Sequence, residues 1–137
     1  MTLALWRVTD PGNVGTLLRT ADAFGASVSL SPECADPLGP RALRASAGAI
    51  FRVPLVDWDD TPGRCVALVA HGGAPLTGVA LEPPMTILLG SEREGLPEAL
   101  VTQCHKATIP LPGEAESLNV AAAGAIALYE LSRRTPR

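Results

Sequence analysis

Short runs of consecutive apolar residues alternate along this chain with stretches in which apolar side chains recur every three or four positions. The runs at Leu3–Val8, Ser27–Leu30, Val53–Val56, Cys65–Ala70, Thr86–Leu89 and Ala107–Leu111 predict strands. In CVALVA and TILLG the apolar residues follow one another instead of alternating with polar ones. Strands of that kind are covered on both faces, as in a parallel sheet. Helical spacing lies between them. Val14, Leu17, Leu18, Ala21 and Phe24 share one side of a helix over Asn13–Phe24, and shorter helices are expected over Arg41–Ala49 and Pro97–Cys104. The longest covers Ser117–Arg134, with Arg133 and Arg134 suited to the negative end of its dipole. Strands alternating with helices predict an α/β fold, an open and mostly parallel sheet with helices on both faces.

The last helix differs from the others. From Leu118 to Leu128 only Asn119 and Gly124 are not apolar, so it has no broad polar face before Tyr129. A helix apolar nearly all round is buried on more than one side. Here that means passage through the core or a subunit interface.

Composition narrows the class. At 137 residues the chain fits a single domain, and 47% hydrophobic content is an ordinary globular share. Gly and Pro, 13 of each, are scattered, which excludes collagen and low-complexity disorder. The mean hydropathy of +0.22 raises the question of a membrane. The longest apolar stretch, 118–131, is interrupted by Asn119, Gly124, Tyr129 and Glu130 and is too short to span one. No secretory signal is apparent in MTLALWRVTDPG. A net charge of −3 counts against a general nucleic-acid binder. Yet all but one of the basic residues are arginines, whose planar fork suits phosphate. Cys34, Cys65 and Cys104 form no CxxC pair, and with only His71 and His105 beside them no zinc site is expected. Three unpaired thiols fit a reducing cytosol.

Three segments carry candidate chemistry. In DPGNVGTLLRTADAFGA, residues 10–26, Asp10-Pro11-Gly12 makes a turn and Asn13 is placed to cap the following helix. Gly15 lies one turn before Arg19 and leaves open space below its guanidinium, and a solvated Arg19–Asp22 pair is the bland alternative. In ILLGSEREGLP, residues 87–97, a buried strand ends at Gly90 and a polar turn follows. Ligands of open α/β sheets bind outside such carboxyl ends. In IPLPGEAESLNVAAAGAIALYEL, residues 109–131, Ser117 can cap the last helix, and Asn119 within an apolar run is costly to bury unless bonded.

These segments, in this order, resemble motifs one, two and three of the SpoU-type RNA ribose methyltransferases of the SPOUT superfamily. The matching pieces are N-x-G-x-x-x-R at Asn13, Gly15 and Arg19, G-x-E-x-x-G-L-P from Gly90 to Pro97, and S-L-N-V from Ser117 to Val120. RALRASAGAIFRVP at 41–54 resembles a stretch seen in ribosomal-RNA members. The match covers nearly the whole chain.

The resemblance implies a C-terminal trefoil knot, a homodimer, a cytoplasmic setting and S-adenosylmethionine as cofactor, with no metal. It places Gly90, Ile109 and Leu118 against that cofactor, and Ala70, His71 and Gly72 near the cleft. The implied reaction moves a methyl group onto a ribose 2′-OH, so the substrate is RNA, ribosomal more than transfer RNA. Arg19 is the residue implied in activating that hydroxyl. A guanidinium keeps its proton at neutral pH, so positioning through phosphate is preferred to general-base action. Asn13 and Asn119 would orient substrate and loop, while Glu92 and Ser117 would buttress the site. The sequence begins at its first strand, as a minimal member or a fragment would, so the extra N-terminal RNA-binding domain of many relatives is not expected within it. Docking would then fall to Arg7, Arg19, Arg41, Arg44 and Arg52, concentrated on one face across a dimer groove. The alternative is a non-catalytic module binding S-adenosylmethionine or a nucleotide.

Overall fold

Every strand pairing in the computed structural model is parallel, and the pairing order explains where the site forms. The structure describes residues 1–80 and 82–135. Its strands are β1 (Thr2–Leu5), β2 (Ser27–Leu30), β3 (Leu55–Val56), β4 (Arg64–Leu68), β5 (Ala74–Pro75), β6 (Met85–Leu89) and β7 (His105–Thr108). Its helices are α1 (Pro11–Phe24), α2 (Pro40–Ser46), α3 (Glu98–Val101) and α4 (Val120–Arg134). The described strands form one sheet in the order β3-β2-β1-β6-β4-β7-β5. The chain leaves β1 toward β2 on one side and leaves β6 toward β7 on the other. The direction of winding therefore reverses between β1 and β6. Crevices at the carboxyl ends of strands open at such a switch point.

The central strands are buried along their whole length, β1 over TLAL and β6 over MTILL, as their unbroken apolar runs require. Leu3, Leu5, Ile87 and Leu89 meet Leu17 and Leu18 of α1 and Leu128 and Leu131 of α4 in one core. Gly124 admits close packing of α4, since a Cβ there would lie 3.0 Å from Leu89 Cδ1 and overlap Leu17.

Both long helices start elsewhere than the sequence suggests. Asp10, not Asn13, caps α1, accepting from the Gly12 N–H at 2.7 Å and the Asn13 N–H at 3.2 Å. Pro11 then takes the first helical position, where its missing N–H costs nothing. Asn119, not Ser117, caps α4, accepting from the Ala121 and Ala122 N–H groups at 2.8 and 3.2 Å. Gly15 has no open space beside it. A Cβ would sit 2.5 Å from Ala42 O and 2.6 Å from Ala45 Cβ, so the residue lets α2 lie against α1. The Arg19–Asp22 pair does not form either, because Asp22 is engaged by Arg52 at 2.7 and 3.0 Å.

The expectation of three free thiols is corrected for two of them. Cys65 and Cys104 form a disulfide with Cα atoms 4.8 Å apart, and Cys34 alone is free. The cysteines are 39 residues apart in sequence, but β4 and β7 are neighbours in which Val66 faces His105, which brings the preceding residues together. Nor is α4 buried on more than one side in the single chain. Val120, Ala121, Gly124, Ala127, Leu128 and Leu131 face the core, while Ile126 and Tyr129 are 42% and 58% exposed. No helix among the described residues is long and apolar enough to cross a membrane.

The end of α4 is tied down by Arg134, which donates to Val79 O at 2.6 Å, Leu76 O at 2.8 Å and Glu130 Oε1 at 2.7 Å. Arg134→Met keeps the stem and removes these charge-assisted bonds, and should lower stability by about 2 kcal/mol in urea unfolding. Hydrogen bonds from Arg134, and secondarily from Arg133, hold the Glu130 carboxyl below the usual carboxylate range. A depressed folded-state value stabilises the fold above the unfolded-state titration and is lost as pH falls through the lowered value. Glu130→Gln should therefore flatten part of the acid limb of the stability profile and leave its alkaline limb unchanged.

Candidate active site

The carboxyl ends of β4 and β6, the segment after β7 and the start of α4 enclose a cavity of about 540 Å³. That is within the range of small-molecule sites. Ala70, His71, Gly90, Glu92, Ile109, Ser117 and Leu118 all line it, so most residues singled out from the sequence meet here. Gly90 admits the turn that forms one wall, since a Cβ there would lie 2.6 Å from Gly95 C and 2.7 Å from Leu96 N. The absent side chain thus lets the 91–96 turn fold back over Gly90. Gly72 follows the lining residue His71 but is itself outside the cavity lining, exposed at φ 80°, with nothing within 4 Å of where a Cβ would lie.

A second groove of about 670 Å³ lies at the switch point between β1 and β6. It is lined by Arg7, Thr9, Asp10, Pro11, Glu33 and Arg41, and it shares the Ser91–Glu94 turn with the first cavity. At this shared wall three distant segments join. Asn119 Nδ2 donates to Asn13 Oδ1 at 3.2 Å, and Asn13 Nδ2 donates to Glu92 Oε1. Asn119 is exposed in the single chain, so the burial cost foreseen for it does not arise; these bonds and its helix cap instead engage both ends of its amide.

Arg19 is not part of this assembly. It lines neither the cavity nor the groove, and stands exposed on α1 with no ion-pair partner among the described residues. The basic residues are not gathered on one face free of acids. Arg7 pairs with Glu33, Arg52 with Asp22, and Arg133 and Arg134 with Glu130. Sequence reasoning missed Leu68, Leu111 and Glu116 in the cavity and Glu33 in the groove. The position of Leu68 at a strand's carboxyl end was a usable signal; Glu33 offered none.

The family model of the SpoU rRNA methylases matches residues 1–129. The chain belongs to the SpoU rRNA methylase family. Among SpoU relatives, the 23S rRNA (uridine(2479)-2′-O)-methyltransferase of Streptomyces viridochromogenes is 34% identical, over 93% of this chain and 50% of its own length. The 23S rRNA (guanosine(2553)-2′-O)-methyltransferase RlmP of Bacillus subtilis is 37% identical, over 90% of this chain and 54% of its own. The solved structure of an AdoMet-bound rRNA methyltransferase from Sinorhizobium meliloti superposes with a TM-score of 0.91 at 36% identity, covering 99% of this chain and 57% of that one. The chain thus spans about half the length of these SpoU relatives. The parallel sheet expected from the apolar runs is the sheet of this family.

Proposed function

We propose that residues 1–137 form the methyl-transferring domain of an RNA 2′-O-ribose methyltransferase that uses S-adenosylmethionine and acts on ribosomal RNA. The observation that carries this reading is the junction of Asn13, Glu92 and Asn119 where the cavity and the groove share a wall. The names of the Streptomyces and Bacillus relatives, and the AdoMet of the Sinorhizobium structure, support the choice of reaction and cofactor.

The cavity fits that cofactor in its chemistry. Leu89, Ile109, Leu111 and Leu118 offer an apolar wall for an aromatic base, and Glu92 and Glu116 complement a cationic sulfonium. When bound, S-adenosylmethionine supplies an electrophilic methyl group. The residues of the chain do the rest. Gly90, Ile109 and Leu118, with Ala70 and His71, bound the cofactor; Ser117 and Glu92 hold the walls; Asn13 and Asn119 fix the direction of Glu92. Arg19 grips a phosphate and orients the ribose, a positioning role that needs no proton loss.

Arg19 lines neither the cavity nor the groove of its own chain, and this reading takes it to the site of a second copy, in a homodimer. The open face of α4 supplies the surface, with Ile126 and Tyr129 exposed and Tyr129 edge-on to Phe24 of α1 at 6.5 Å between ring centres. The trefoil knot belongs to the same reading, with the 109–119 segment and α4 as its threaded part. So does a cytoplasmic setting, where ribosomal RNA is made. The Cys65–Cys104 bond pulls the other way, since disulfides are rare in reducing compartments.

Titration calorimetry with S-adenosylmethionine, followed by nucleoside mass spectrometry of rRNA and tRNA after incubation, tests the reading. Binding together with a 2′-O-methylated ribose in rRNA is expected. A methylated base would overturn the reaction assigned, and binding without transfer to either RNA would favour a non-catalytic module.

A further inference from the structure

Arg7 and Glu33 stand at φ 48° and 74°, in a backbone region that residues bearing a Cβ seldom occupy. Non-glycine residues held there against their preference concentrate at functional sites. Both line the groove at the switch point, where Arg7 Nε lies 3.0 Å from Glu33 Oε2. The Arg7 guanidinium also sits 4.9 Å from the centre of the Trp6 ring. Of the other carboxylates here, Asp10 caps α1 and Glu92 accepts from Asn13, while Glu94 is exposed and has no ion-pair partner among the described residues. Arg41 and Arg93 line the same groove and have no ion-pair partner among the described residues. The groove therefore presents two unengaged guanidiniums, a third held against one exposed carboxylate, and one unengaged carboxylate, Glu94, that can turn to solvent.

Resting on the function proposed above, we infer that this groove seats the ribose-phosphate of the acceptor nucleotide. Arg41 and Arg93 take its phosphate oxygens, and Arg7 exchanges Glu33 for a phosphate as RNA docks. Three observations converge on this. The groove lies at the switch point, where open α/β sheets bind ligands. It shares the Ser91–Glu94 turn with the cofactor cavity, so an acceptor within it adjoins the methyl donor. Arginine forks are suited to phosphate through paired hydrogen bonds. Glu33 then acts as a charge filter, holding Arg7 in place until a stronger anion arrives.

The test uses a fluorescein-labelled 20-nucleotide single-stranded RNA of mixed sequence, with anisotropy followed from about 50 to 200 mM salt. Arg41→Ala and Arg93→Ala should each weaken binding roughly fivefold to tenfold and lower the salt slope by about 0.7. Glu33→Gln should tighten binding about threefold by removing a negative charge from the groove. Arg64→Ala is the control for net charge, since Arg64 is exposed at the amino end of β4, away from the groove. Losses at Arg41 and Arg93 no larger than at Arg64, or no gain at Glu33→Gln, would overturn the assignment. If the unmodified chain still methylates RNA in that case, only the groove is wrong. If it binds neither S-adenosylmethionine nor RNA, the proposed function falls with it.

Discussion

Arg19→Ala is expected to cut methyl transfer to RNA by roughly 10²- to 10³-fold while leaving S-adenosylmethionine affinity within about twofold. The two effects separate because of where Arg19 stands. It is exposed on α1, touches no cavity wall and pairs with no acid among the described residues, so its loss leaves core and cofactor site intact. Single-turnover transfer and calorimetry on the same preparation read both quantities. Undiminished turnover would remove Arg19 from the reaction. The same placement gives a sharper test. Mixed with a variant whose cofactor cavity is blocked, the inactive Arg19→Ala protein should recover activity, up to about a quarter of the native site count in a randomly exchanged twofold dimer. Recovery places Arg19 of one copy beside the cavity of the other; its absence places the residue in its own chain's site.

Leu118→Arg is the blocking variant, and it should weaken S-adenosylmethionine by at least about 100-fold. Leu118 is 36% exposed and lines the cavity between Ser117 and the capped start of α4. A guanidinium there can reach water or Glu116, so folding should survive and the thermal transition stay near that of the native chain. Inside the cavity the change is severe. It takes away apolar wall offered to the aromatic base and brings a fixed positive charge into a cavity that would also hold a cationic sulfonium. Affinity within tenfold of native would show that the cofactor does not use this wall.

Much of the fold is visible in the residues because its centre is buried on both sides. The runs in β1 and β6 stay apolar because no face meets water, and these strands, with β2 and β4, lie within a few residues of where the sequence predicts them. The edges were not. Strand β7 begins at His105 instead of Ala107 because its register is set by pairing with β4, and two polar residues at its start hide it. Strand β5, two exposed residues against β7, carries no pattern. The disulfide was invisible for the same reason, since it depends on which strands are neighbours. At the site, Gly90, Glu92, Ser117 and Leu118 could be named from motif resemblance, and the cavity gathers them. Of the groove, Arg7 and Arg41 could be named as docking arginines, but Glu33 could not, because a positive φ at a residue other than glycine leaves no trace in composition or spacing.

The two asparagines of the junction have a sense of direction. Asn119 must turn its oxygen toward the N–H groups of Ala121 and Ala122, so only its NH₂ remains for Asn13. Asn13 must in turn offer oxygen to Asn119 and NH₂ to Glu92. Each amide is read as donor at one end and acceptor at the other, like arrows laid nose to tail from the end of a helix to a carboxylate. Aspartate, nearly identical in shape, has no donor to pass along. At either position it would set oxygen against oxygen, so what this corner of the molecule demands is a polarity that size and hydrophilicity alone do not supply.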